Sequence, residues 1–127
     1  MRATLSVFVL VMMMGLFAAC DAGICSGGDC QCPTGQSCDF DCPDGNCNQQ
    51  CDGDCDMTCE NGNCDQQCSA NADCAASCEG GDCEQQCSPG ATCEFTCAGG
   101  NCVQSCLGNP NCSFTCGGGG CTDDSPL

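Results

Sequence analysis

Sulfur is the element with the most chemistry in this chain. Cysteine fills 23 of 127 positions, beside 17 carboxylates, one Lys or Arg and no His, Trp or Tyr. Thiols in such numbers either bridge as disulfides or, as thiolates, hold soft metals. The carboxylates offer hard oxygen ligands of the kind calcium prefers. Catalysis has little to work with: the usual general bases, His and Lys, are missing, and no aromatic set exists to line a pocket. Nucleic-acid binding is excluded, because a single cation, Arg2, cannot neutralise a run of phosphates.

The spacing of the cysteines narrows the choice. From Cys38 onward the gaps run C-x3-C-x4-C-x3-C, with a linker of three or five residues before the next unit. Units begin at Cys38, Cys55, Cys74, Cys93 and Cys112, at offsets of 17, 19, 19 and 19 residues. Segment 25–37 reads as a degenerate capping repeat that keeps the x4 element as Cys25 to Cys30. The last unit is cut short, with Ser125 where a fourth Cys falls due. Atypical terminal units are usual in repeat arrays.

Each first C-x3-C alternates with period two. Its middle residue is Phe40, Met57, Ala76, Phe95 or Phe114, flanked by polar or small residues, which predicts a short half-buried strand. The second C-x3-C carries Gln49, Gln66, Gln85 or Gln104 on its cysteine face. Identical glutamines at one phase suit a stacked amide ladder; the same positions also suit exposed polar strand residues, as Gln50, Gln67 and Gln86 beside them would be. Between the strands lie Asp-Gly, Asn-Gly or Gly-Gly centres, which tolerate the positive φ of a tight turn.

If that turn closes an antiparallel hairpin, the facing cysteines are Cys42–Cys47 with Cys38–Cys51, Cys59–Cys64 with Cys55–Cys68, Cys78–Cys83 with Cys74–Cys87, and Cys97–Cys102 with Cys93–Cys106. Cys116–Cys121 and Cys25–Cys30 follow at the ends. Pairing across the linkers, as Cys87–Cys93 with Cys83–Cys97, is the other register. The first leaves Cys32 and Cys112 over, the second Cys25 and Cys121. Each bridge closes a short loop and contributes at most about 3 kcal/mol.

Two all-β architectures fit these strands: a β-solenoid of about 19-residue coils, or a meander of disulfide-linked hairpins. Recurrence of residue identity at one period favours the solenoid, while the turn dipeptides suit the meander. In general scheme the chain resembles the disulfide-stapled solenoids of insect antifreeze proteins, although their Thr-x-Thr ice-binding face has no counterpart here.

The first 19 residues read as a signal peptide. Arg2 is the basic start, and Leu5 to Phe17 is an apolar run of about 13 residues, shorter than the roughly 20 of a membrane-spanning helix. It leads to Leu16-Phe17-Ala18-Ala19-Cys20, which resembles the lipobox of bacterial lipoproteins, with Phe17 where an aliphatic residue is usual. The resemblance implies lipidation of Cys20, a short linker over 20–24, a membrane anchor at the cell envelope, and a repeat body over 38–121 with a tail at 122–127. An ordinary secretory signal cut near Ala22 is the alternative, giving a secreted protein. Either route removes or acylates Cys20 and leaves an even number of cysteines in an oxidising compartment. Asp21 resembles an inner-membrane retention residue; the choice of membrane stays open.

These features describe an exported, acidic, disulfide-stapled repeat protein with a structural or interaction role and no catalysis. A calcium-binding module is the alternative, on Asp52-x-Asp54-x-Asp56, which opens like an EF-hand loop but has Met57 and Asn63 where that loop needs Gly and Glu. A toxin- or inhibitor-like scaffold and a thiolate metal store are lesser readings, and no partner beyond the membrane can be named. A thiol titration of the denatured, unreduced protein separates bridges from thiolates: the disulfide reading expects zero to two free thiols, the metal store about 22.

Overall fold

The computed structural model describes residues 23–24 and 28–123, with the backbone alone at Gly23–Ile24. The signal peptide, Cys20, Cys25 and the tail beyond Asp123 lie outside the described residues. Twelve strands follow in chain order: β1 (Gly23–Ile24), β2 (Asp29–Cys32), β3 (Ser37–Cys42), β4 (Asn48–Cys51), β5 (Asp54–Cys59), β6 (Asp65–Cys68), β7 (Asp73–Cys78), β8 (Glu84–Cys87), β9 (Thr92–Cys97), β10 (Val103–Ser105), β11 (Cys112–Cys116) and β12 (Thr122–Asp123).

The odd strands form one six-stranded sheet and the even strands another, each in sequence order. Every pairing is parallel, with Phe40 beside Met57, Ala76 beside Phe95, and Gln66 beside Gln85. Each coil thus contributes one strand to each sheet, which is a two-sided β-solenoid. Among the described residues no strand pair is antiparallel, so the meander of hairpins is not what forms.

The link after each long strand explains why. In a tight hairpin the left-handed pair would occupy the link's centre, Asn61-Gly62 for instance. Instead it falls one residue later, at Gly62-Asn63 (φ 80° and 56°), Gly81-Asp82 and Gly100-Asn101. That shift carries the chain over to the opposite sheet. The links then bond up the stack rather than across themselves: Asn63 N donates to Gly81 O (3.0 Å) and Asp82 N to Gly100 O (3.0 Å). At Gly62 a Cβ would run into the carbonyl of Gly81, so stacking as well as φ demands glycine.

The interior is a narrow slot closed at both margins by sulfur. One column of bridges runs along the glycine links: Cys42–Cys47, Cys59–Cys64, Cys78–Cys83, Cys97–Cys102 and Cys116–Cys121. The other runs along the linkers: Cys32–Cys38, Cys51–Cys55, Cys68–Cys74, Cys87–Cys93 and Cys106–Cys112. Cα separations of 5.7–6.3 Å are ordinary for bridges.

This corrects half of the expected pairing. Cys38–Cys51, Cys55–Cys68, Cys74–Cys87 and Cys93–Cys106 are not formed, nor is Cys83–Cys97. The structure takes the inner bridge of each register, because both margins of a coil are turns and each cysteine meets its neighbour in sequence across one. Cys32, Cys112 and Cys121, left over in one register or the other, are all bonded. Cys30 is also disulfide-bonded, and its expected partner Cys25 is outside the described residues.

Between the sulfur columns lie Phe40, Met57, Ala76 and Phe95 on one sheet and the four glutamines on the other, all buried. The glutamines form the ladder. Gln66 Nε2 donates to Gln49 Oε1 (2.9 Å), Gln85 Nε2 to Gln66 Oε1 (2.9 Å), and Gln104 Nε2 to Gln85 Oε1 (2.7 Å). The amides of Gln49, Gln66 and Gln85 also donate to carbonyls of the facing sheet, as Gln66 does to Ser77 O (3.1 Å). Among the described residues Gln104 Oε1 is the one buried side-chain oxygen without a hydrogen-bond partner; the register sets Asp123, itself an acceptor, beyond it. Replacing one rung, Gln66→Leu, leaves a buried Oε1 on Gln49 and a buried N–H on Gln85 without each other's chain. We expect a loss of roughly 1–3 kcal/mol, read from the denaturant midpoint of the oxidised protein; an unchanged midpoint would show that the ladder is not stabilising.

Candidate functional site

With catalytic groups scarce, the surfaces that the coil presents are what remain to be read. The outward positions of the long strands stack like the inward ones. Asp39 lies beside Asp56, Asp54 beside Asp73, and on the other sheet Asp65 beside Glu84. Like charges in direct register oppose the stack, so the flanks are acidic at a cost in stability that the bridges offset. Next to the acidic column on the odd sheet runs a hydroxyl column, Thr58, Ser77, Thr96 and Thr115.

One linker is shorter than its neighbours. Cys51 and Cys55 are four residues apart, whereas Cys32–Cys38 and Cys68–Cys74 are six apart. The short linker is recessed between two longer ones and leaves a notch of about 480 Å³. Asp52, Asp54 and Asp73 line it, with Gln36, Ser37 and Asn71. Its floor is tightly seated: Asp54 N donates to Gln36 O (2.8 Å), and Asp73 N donates to Gly53 O (2.9 Å).

Of the three carboxylates singled out for calcium, Asp52 and Asp54 therefore share the notch. Asp56 borders a separate groove of about 200 Å³ with Ala75, Ser77 and Glu94. Asp73, which a search along one linker does not reach, joins the first two through stacking. Among the described residues no three carboxylates bring their oxygens within 4.8 Å of one another; the triads that come so close are sulfurs, Cys42 with Cys59 and Cys64 for example. Those sulfurs are bridged and hold no thiolate for a metal.

Another surface went unremarked in the spacing of the cysteines. No charged residue occurs between Glu94 and Asp123. Among the described residues the large exposed apolar side chains, Val103, Leu107 and Phe114, all fall within that stretch. The signal was in the sequence as an interruption of the acidic pattern, which a search for ligands passes over.

Taken together, the parallel sheets, the two sulfur margins and the self-bonded glutamines define a disulfide-stapled parallel β-solenoid. The chain matches no protein-family model, and no curated protein or solved structure is significantly similar to it. Among the described residues no helix is long and apolar enough to cross a membrane.

Gly53 tests how the notch is built. A Cβ there would collide with the carbonyls of Gln36 and Pro33, so Gly53→Ala must push the two linkers apart. We expect a destabilisation of about 1–3 kcal/mol, measured as a lower denaturant midpoint; Gly117→Ala, where φ is not positive and a Cβ comes no closer than 3.5 Å to a neighbouring atom, separates this collision from the effect of adding a methyl group.

Proposed function

We propose that this chain is an exported rod, tethered to a membrane of the cell envelope through a lipid on Cys20, which acts as a structural or interaction element and carries out no catalysis. The observation that carries the reading is the bridging of every described cysteine. Such a fold needs an oxidising compartment to form, and the segment before Cys20 supplies an export route. Six strands in register give a stack about 24 Å long at roughly 4.8 Å per strand. Acidic flanks keep a sulfur-rich rod soluble and hold it away from anionic surfaces. The residue types favour this role over an enzyme, because neither His nor Lys is present outside or inside the described region.

Mass spectrometry of the mature N-terminus tests the anchor. An acylated Cys20 at position one is expected, with Cys20→Ser releasing the protein from membranes. A mature chain that begins after Ala22 and stays soluble would leave secretion as the route and end the lipoprotein reading.

The notch favours one second reading, calcium uptake by Asp52, Asp54 and Asp73. Isothermal titration with Ca²⁺ distinguishes the two: saturation abolished by Asp52→Asn with Asp54→Asn supports a site, whereas weak uptake that fades with added salt belongs to a diffuse acidic surface.

A further inference from the structure

The ends of the rod differ in charge. β10, β11 and the turn between them lie within the stretch from Glu94 to Asp123 that contains no other charged residue, and the last coil, β11 with β12, adds Asp123 as its one described carboxylate. Phe114 belongs to the interior column and pairs in register with Phe95, yet it is 38% exposed where Phe95 is 0% exposed. The difference is one of position. β11 is the end strand of its sheet, so the slot between the sheets opens there. Leu107, also 38% exposed, stands in the turn just before it.

We propose that this sparsely charged end is a self-association surface, at which two copies of the chain meet tail to tail about a twofold axis. Along their flanks two such rods repel, because each presents carboxylates in rows. At the β11 end they approach without setting one row of carboxylates against another. The strand itself suits its own mirror-order partner: Cys112-Ser113-Phe114-Thr115-Cys116 reads nearly the same in both directions. Antiparallel pairing centred on Phe114 sets that ring beside Phe114 of a second copy, with Ser113 beside Thr115 and Cys112 beside Cys116. The contact covers the open slot, satisfies the edge of β11 and closes after two copies, as an isologous interface does.

The opposite end does not offer the same match. There β2 begins with Asp29, and β1 is two residues long. Asp123 lies on β12, the end strand of the other sheet at this same end, and its repulsion across the twofold axis makes the association stronger in salt. None of this depends on the envelope reading.

Sedimentation analysis of the oxidised chain tests the proposal, in density-matched non-ionic detergent so that an acyl group does not itself drive association. The expected result is a mass that rises from one chain to two with concentration, at lower concentration in 0.5 M than in 0.05 M salt. Phe114→Asp should hold the protein at one chain. So should the double change Ser113→Asp with Thr115→Asp, which sets like charges opposite each other at exposed positions and leaves the interior untouched. Unchanged free-thiol counts in both variants would show that the bridges still form. A single-chain mass at every concentration, a dimer that survives the double change, or masses that climb beyond two chains would each overturn the proposal.

Discussion

Inside this rod the nearest neighbour of a side chain is its own equivalent in the next coil, about 4.8 Å away. Any residue admitted to the interior must therefore be compatible with a copy of itself. A disulfide is neutral and stacks on another. An aliphatic or aromatic side chain packs on its like, with Ala76 between Met57 and Phe95 taking up the difference in bulk. A carboxylate fails the test, and among the described residues none is buried. Glutamine passes it because its amide carries a donor and an acceptor, so each rung satisfies the next.

The same rule, applied outside, gives the rod its weakness. Asp39 with Asp56 and Asp54 with Asp73 repeat like charge at the strand spacing, where water and salt screen it only in part. A chain with so few large apolar residues has little burial to set against that repulsion. Cross-links supply the remainder, at roughly 2 kcal/mol for each short loop.

Much of this was legible before any coordinates. The inward phase of Phe40, Met57, Phe95 and the glutamines follows from alternation with cysteine, and the recurrence of their identity points to stacking. The bridges were harder, because C-x3-C alternation says which side chains share a face but not whether two strands lie edge to edge or face to face. The deciding residues are Asn46, Asn63, Asp82 and Asn101, each just before a cysteine and each at positive φ. Asn and Asp tolerate that conformation, so their recurrence marked a link that crosses between sheets. The acidic notch was partly hidden for another reason: Asp73 comes to Asp52 and Asp54 from the following coil, and a motif read along one linker omits what stacking adds.

The bridges join residues four to six apart, so each ties a coil's own turn and none ties distant coils together. Coil is held to coil by strand hydrogen bonds, the amide ladder, stacked links and packed side chains, with no cross-link between stacked strands among the described residues. A pull along the chain would therefore peel turns from the end one by one, lengthening the protein several-fold while every S–S bond stays intact. Under tension such a rod lengthens by unstacking instead of holding as a covalently locked strut.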